Sequence, residues 1–166
     1  LAKKILEKFG NEEGTAFYFT ASTSEHPVVR HVEWYDNATP GGNSLVAHLW
    51  TALGTTSEDP VFAEARDKLR GSYAELVERI PNGVAYALTA WCQESSGMVL
   101  LKSGSRDSLE EAAKELRARC WRPSWLIQSS DVPENAWRLC VGKTCLPDFT
   151  SPQEAASAAT LSSQPR

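Results

Sequence analysis

The sequence predicts a mainly α-helical chain that ends in a small α/β appendage. Three observations support this prediction. Apolar residues recur every three to four positions over most of residues 1–94, a continuous apolar run follows Gly97, and short apolar runs then flank one further helical segment. We therefore expect helices over 1–94, an α/β appendage over 95–148, and a terminal helix with a frayed tail over 149–166.

Helical spacing and turn residues define the first elements in order. Residues 1–9 form an amphipathic helix that ends at Gly10. The apolar, β-prone runs 17–20 and 28–30 predict two short strands of a hairpin. The next run, 36–44, is dense in Asn, Thr, Pro and Gly, so we expect a helix to start within it.

The middle of the chain predicts successive helices. Thr39 is suited to be the N-cap of the first of them, and Gly54 is expected to end it. The longest periodic pattern covers residues 61–80 and predicts a long amphipathic helix. A further helix is expected over 82–93, so that short turns join a series of helical hairpins.

Strand and helix signals alternate in the appendage. A strand is predicted at 98–101, and a helix over 107–120 is expected to be capped by Asp107 or Ser108. Further short strands are predicted at 125–127 and 137–141. The tail offers one short helix at about 152–161.

Composition and charge exclude several classes of protein. The chain has 166 residues, of which 42% are hydrophobic and 23% charged, as expected of one globular domain with a core. No apolar run reaches the roughly 18 residues of a membrane span. The net charge is −4 and the basic residues are dispersed, so we expect neither a nucleic-acid nor a membrane partner. Four dispersed cysteines favour a reducing, cytoplasmic compartment.

Four segments of the chain resemble a known family. They are F-Y-F-T at 17–20, V-V-R at 28–30, Y-D-N-A-T-P-G-G-N-S at 35–44 and L-C-V-G-K-T-C-L-P at 139–147. They are similar to the C-terminal half of the spermatogenesis-associated protein 20 family, whose bacterial members are YyaL-type proteins. The resemblance covers residues from about Phe9 to about Ala159. At Gly41 the family usually has Ser, so any ligand contact of that hydroxyl would be lost here.

The resemblance implies an architecture larger than this segment. Family members carry a thioredoxin-like domain followed by an (α/α)6 toroid, similar to sugar epimerases and six-hairpin glycosidases. Residues 1–94 would then be the last helical hairpins of the toroid, with a short β-hairpin. The expected partners are the thioredoxin-like domain and the rest of the toroid. An isolated segment of this kind is expected to be unstable or to associate, because it exposes unpaired helix faces.

The run 36–44 is the candidate binding site. Gly41 and Gly42 allow close backbone approach, and free N–H groups at a helix start bind oxygen atoms. Asp36 and Asn43 carry groups that hydrogen-bond sugar hydroxyls. The alternative is a helix cap in which these two side chains satisfy only backbone groups. The predicted substrate-binding residues, including two aromatic rings suited to stacking on sugars, are Trp34, Tyr35, Asn37, Asn43 and Ser44.

His31 and Asp36 are the candidate catalytic residues. His31 is close in sequence to Glu33 and Asp36, which favours an acid/base role; the alternative is a structural or solvated histidine at a strand end. No two histidines have metal-ligand spacing, so we expect neither a metal nor a cofactor.

Cys140 and Cys145 are the candidate redox residues. Four residues separate them, which is neither the C-x-x-C spacing of a thioredoxin site nor a complete zinc set. A tight hairpin would bring them within disulfide distance. One interpretation is a redox-responsive pair that communicates with the thioredoxin-like domain. The alternative is two small apolar residues that close a strand pair.

These observations lead to two functional hypotheses. The first is recognition or processing of a carbohydrate-like small molecule, epimerase- or glycosidase-like by resemblance, in the toroid pocket. The second is a non-catalytic or redox-linked scaffold that serves the thioredoxin-like domain.

Overall fold

Helices make up about 53% of the structure, a computed structural model, so the chain is mainly α-helical as predicted. The structure describes residues 1–25, 29–119, 124–142 and 144–162. The chain divides into two compact units, Leu1–Cys92 and Gln93–Arg166. The assignment of residues 1–94 to a toroid remains a prediction. In the described part of the chain, no helix is both long enough and apolar enough to cross a membrane.

The first unit is built from helices. They are α1 (Ala2–Phe9), α2 (Gly42–Thr56), α3 (Pro60–Arg79), a 3₁₀ turn (Pro81–Val84) and α4, which begins in this unit and spans Ala85–Ser95. The connection between α2 and α3 is only three residues long, so α3 folds back against α2. Asp59 caps α3 by accepting a hydrogen bond from the amide of Val61 at 3.1 Å, and Pro60 occupies its first turn.

The core of the first unit surrounds Trp50. The indole is fully buried, and its ring centroid lies 5.8 Å from that of Phe17 and 5.7 Å from that of Phe62. Leu69 and Tyr73 of α3 complete this core from the opposite helix. The apolar face that the periodicity predicted is the face that α3 buries. On α2 the prediction is correct for Trp50 but not for Leu45, which is 51% exposed, and the buried face of that helix also contains Ser44 and Thr51.

Two predicted features of α2 are wrong. Thr39 is not its N-cap: the helix begins at Gly42, and Gly41 is the N-cap. The carbonyl of Thr39 instead accepts a hydrogen bond from the amide of Asn37 at 3.0 Å, within the loop that precedes the helix. The helix also continues past Gly54. A Cβ at Gly54 would lie 3.2 Å from the Cα of Ala63, so this glycine permits the close approach of α3.

Among the described residues the predicted β-hairpin is reduced to an isolated antiparallel pairing, in which Tyr18 bridges Val32 and the amide of Phe19 donates to the carbonyl of His31 at 2.8 Å. Only single bridges form, Gly10 with Phe17 and Tyr18 with Val32, and residue 28 lies outside the described ranges. Side chains bond backbone groups beside this pairing. The guanidinium of Arg30 donates to the carbonyl of Thr20 at 2.8 Å, and Asn43 bonds both backbone groups of Phe17.

The second unit is an α/β fold. Its elements are β1 (Val99–Ser103), α5 (Arg106–Arg119), β2 (Ser124–Gln128), β3 (Arg138–Val141), β4 (Thr144–Cys145) and α6 (Pro152–Ser162). The strand order is β2-β1-β3-β4, with β1 parallel to β2 and the other pairs antiparallel. The predicted strand, helix, strand, strand sequence is therefore present.

Helices α5 and α6 pack together and contact this sheet, burying Val99, Leu101 and Leu139 against small and apolar helix residues. Neither predicted cap begins α5. Instead, the hydroxyl of Ser105 accepts a hydrogen bond from the amide of Ser108 at 3.2 Å, so the helix starts at Arg106.

Candidate functional site

An open, shallow cleft of about 360 Å³ lies between the loop that precedes α2 and the start of α4. Loop residues form one wall, and residues from the 3₁₀ turn and the first turns of α4 form the other. The lining residues are Asp36, Asn37, Ala38, Thr39, Pro40, Asn82, Ala85, Tyr86 and Thr89.

Asp36 holds the two walls of the cleft together. One carboxylate oxygen, Oδ1, accepts from the amide of Gly41 at 2.9 Å, and Oδ2 accepts from the amide of Tyr86 at 2.8 Å. The amide of Asp36 itself donates to the carbonyl of Gly83 at 2.7 Å. Hydrogen bonds to a carboxylate are stronger than neutral ones. Asp36 therefore fixes the loop before α2 onto the start of α4.

Tyr86 provides the aromatic surface of the cleft. Its side chain is 38% exposed, and its ring centroid lies 4.2 Å from that of His48. The Nε2 atom of His48 lies 2.8 Å from the carbonyl oxygen of Tyr86 and 3.1 Å from the hydroxyl of Thr89. His48 thus supports both Tyr86 and Thr89 from α2.

Several side chains of the lining carry neutral hydrogen-bonding groups. Asn37, Thr39, Asn82 and Thr89 offer amides and hydroxyls that donate and accept hydrogen bonds. Among the described lining residues there is no lysine or arginine, so an anionic group would find no countercharge. The one carboxylate, that of Asp36, already accepts two backbone hydrogen bonds.

The structure places three of the predicted site residues at or beside the cleft. Asp36 and Asn37 line it. Tyr35 is 45% exposed, and its ring lies against Gly83, where a Cβ would be 3.2 Å from Cδ1 of Tyr35.

Asn43 is a buried clamp and does not line the cleft. It is 1% exposed, and its Oδ1 accepts from the amide of Phe17 at 2.8 Å. Its Nδ2 donates to the carbonyl of Phe17 at 2.8 Å and to that of Glu33 at 2.9 Å. Asn43 therefore joins α2 to two preceding segments, as in the alternative in which it satisfies backbone groups.

Ser44 and Trp34 belong to the core as well. The hydroxyl oxygens of Ser44 and Tyr73 lie 3.4 Å apart. The hydroxyl of Tyr73 donates a hydrogen bond to the carbonyl of Trp34 at 3.5 Å. The rings of Trp34 and Tyr73 meet edge to face at 5.1 Å. Burial raises the pKa of Tyr73 to about 12, so the hydroxyl is neutral at pH 7 and can donate this hydrogen bond.

His31 lies away from the cleft. Its side chain is exposed, and its carbonyl accepts from the amide of Phe19 at 2.8 Å. Glu33, the other carboxylate considered beside it, lines a separate cavity of about 240 Å³ and accepts from the amide of Gly42 at 3.2 Å. The structure thus does not bring His31 and Asp36 together at the cleft.

Sequence reasoning missed Asn82, Tyr86 and Thr89. The apolar spacing of residues 82–93 predicts which face of the helix is buried, and it gives no information about the opposite face. Their spacing could have indicated a shared surface. Tyr86 follows Asn82 by four positions and Thr89 follows Tyr86 by three, and residues at these spacings lie on the same side of a helix.

The loop before α2 requires glycine at position 41. A Cβ at Gly41 would lie 2.8 Å from the carbonyl oxygen of Tyr35, whereas one at Gly42 would meet no atom within 4 Å. We expect Gly41→Ser to lower the free energy of unfolding by about 2 kcal/mol, because backbone must shift. Urea denaturation would measure it. Gly42→Ser is the matched control, with an expected change within about 0.5 kcal/mol; equal effects of the two variants would contradict the close contact.

Cys140 and Cys145 form a disulfide across β3 and β4, with their Cα atoms 3.9 Å apart. A bridge that closes so short a loop contributes on the order of 2 kcal/mol in the chain-entropy treatment. Among the described residues, no group of three or more His, Cys, Asp or Glu side chains is arranged to hold a metal ion.

The first unit thus carries a cleft bordered by Asp36 and Tyr86, and the second unit carries a disulfide at a sheet edge. Comparisons with protein-family models, with curated proteins and with solved structures find no match to this chain.

Proposed function

We propose that the cleft between the loop before α2 and the start of α4 binds a neutral carbohydrate-like molecule. The observation that carries the proposal is the composition of its lining, in which the exposed ring of Tyr86 lies among amide and hydroxyl side chains without a cationic group. An aromatic face and several neutral hydrogen-bonding groups match the apolar face and the hydroxyls of a sugar ring.

We also propose that the chain is the C-terminal part of a thioredoxin-like and (α/α)6 toroid protein of the spermatogenesis-associated protein 20 type. The arrangement of the helices supports this proposal. The loop into α2 and the first turns of α4 form the two walls of one cleft, so these alternate helices begin at the same place. Alternate helices begin at the same end when successive helices form antiparallel hairpins.

In this proposal the residues of the chain recognise the ligand. Asn37, Asn82 and Thr89 exchange hydrogen bonds with its hydroxyls, and Tyr86 stacks on its ring. Asp36 positions both walls. If the whole protein is epimerase- or glycosidase-like, we expect groups outside this segment to move the protons, because His31 does not line the cleft.

Tyr86→Ala tests this function. We expect the variant to bind a neutral mono- or disaccharide about tenfold more weakly, because ring stacking is worth about 0.5–1.5 kcal/mol beyond the buried area. A thermal-shift screen identifies the sugar, and calorimetric titration measures the affinity.

Phe19→Ala is the control for this experiment, because Phe19 is 70% exposed in the same unit and lies outside the cleft. It should bind the sugar like the unmodified chain. Equal losses in both variants, or no thermal shift with any neutral sugar, would contradict the proposal.

A further inference from the structure

The two sulfurs of the Cys140–Cys145 disulfide have different surroundings. Cys140 is 1% exposed and lies in a small cluster with Met98 and Leu100. Cys145 is exposed and belongs to β4, which is two residues long and occupies the edge of the sheet. A protein thiol can therefore approach the bond from the side of Cys145.

The register of the hairpin brings these side chains together. The amide of Leu146 donates to the carbonyl of Leu139 at 2.8 Å, so the neighbouring opposed pair is hydrogen-bonded. Cys140 and Cys145 then form the intervening pair without backbone hydrogen bonds, where opposed side chains are closest in an antiparallel ladder.

The hairpin has other attachments besides the disulfide. Arg138 on β3 makes two hydrogen bonds to the carboxylate of Asp148, at 2.6 and 3.0 Å, just beyond β4. Trp137 and Phe149 exchange backbone hydrogen bonds of 3.0 and 2.8 Å. Both contacts join the two arms of the hairpin at its open end, so β4 can stay in place when the disulfide opens.

We propose that Cys140–Cys145 is a thiol–disulfide exchange site for a protein dithiol. A thiolate of the partner attacks Sγ of Cys145, the bond between Cys145 and Cys140 breaks, and its electron pair leaves on the sulfur of Cys140, which takes a proton from solvent. The second partner thiol loses its proton and attacks the first partner sulfur, which releases Cys145 as a thiolate to be protonated. Two electrons and two protons thus pass from the dithiol to this chain.

The geometry selects a dithiol over a single thiol. After the first attack, Cys140 remains opposite Cys145 and re-forms the original bond, because the two cysteines are only five positions apart on one hairpin. A monothiol cannot outcompete this intramolecular reaction. A dithiol can, because its own second sulfur resolves the mixed disulfide equally fast. Thiol–disulfide exchange is the reaction that a redox-linked scaffold of this kind would carry out, and it does not depend on ligand binding in the cleft.

Reduction of the full chain by two kinds of reductant tests the proposal. In a Cys92→Ser and Cys120→Ser background, the oxidised protein is incubated with reduced thioredoxin or with glutathione at equal thiol concentration, and blocked thiols are counted by mass spectrometry. We expect two thiols to appear at least about tenfold faster with the dithiol, with the far-UV spectrum unchanged. Opening only in denaturant, equal rates with glutathione, or failure of the bond to form in oxidising buffer would overturn the proposal.

Single substitutions identify the sulfur that is attacked. In Cys140→Ser the thiol of Cys145 should react with a soluble aromatic disulfide at least about tenfold faster than the thiol of Cys140 does in Cys145→Ser. Equal rates in the two folded variants would contradict attack at Cys145.

Discussion

Asn43→Ala is expected to lower the free energy of unfolding by about 3 kcal/mol. The side chain makes three hydrogen bonds to backbone groups of Phe17 and Glu33, and it is almost fully buried. Alanine would leave these backbone groups without their partner in the interior, which costs about 1–3 kcal/mol for each buried group that finds no other. Urea denaturation followed by circular dichroism would measure the loss.

Asn37→Ala is the matched control for this substitution. Asn37 is exposed and lies six positions before Asn43, in the loop that leads into α2. Replacing it by alanine should therefore change the free energy of unfolding by less than about 0.5 kcal/mol. A loss below about 1 kcal/mol in Asn43→Ala would contradict the clamp.

Asp36→Ala is expected to lower the free energy of unfolding by about 2–3 kcal/mol and to abolish ligand binding. The carboxylate is the acceptor for the amides of both Gly41 and Tyr86, so its loss leaves only the backbone hydrogen bond from Asp36 to Gly83 between the two walls of the cleft. Urea denaturation and calorimetric titration with the sugar from the thermal-shift screen would measure the two effects.

Asp36→Asn separates a positioning role from a catalytic one. The amide keeps one acceptor oxygen but turns an NH₂ group toward a backbone N–H, so we expect about half the stability loss of the alanine variant and weakened binding. If Asp36 were a general acid or base with no positioning role, Asp36→Asn would keep both stability and affinity and lose only turnover. That outcome would contradict our assignment.

The sequence predicted the helices well because their apolar faces become the core. The spacing of residues 61–80 matches the buried side chains of α3, and the turn at Asp59 and Pro60 matches its first residues. The strands β1, β2 and β3 follow from short apolar runs between turn residues, and the runs of β1 and β3 are buried in the second unit.

The errors arise where a side chain replaces an expected backbone partner. The start of α2 depends on a carboxylate at Asp36 that holds Gly41, and local capping preference does not include that contact. The hairpin is reduced to a single bridge, Tyr18 with Val32, and the side chains of Arg30 and Asn43 bond backbone groups of Thr20 and Phe17 beside it. Such contacts join positions distant in sequence, so periodicity cannot show them.

Only one wall of the candidate site could be predicted from the sequence, because the two walls are distant along the chain. The loop with Asp36 and Asn37 was found from its turn residues, but its opposite wall comes from α4, about 50 positions later, as the bond between Asp36 and Tyr86 shows. The disulfide depended on the register of β3 and β4, and the spacing of the cysteines left two interpretations open.

An amide NMR titration of the chain, with the neutral sugar that gives the largest thermal shift, tests whether the cleft binds a carbohydrate. We predict saturable shifts of the backbone amides of Asn37, Tyr86 and Thr89 and of the side-chain amides of Asn37 and Asn82, while those of His31 and the second unit stay unchanged. No saturable shift at these residues, or shifts centred on His31 or the second unit, would contradict a carbohydrate site in this cleft.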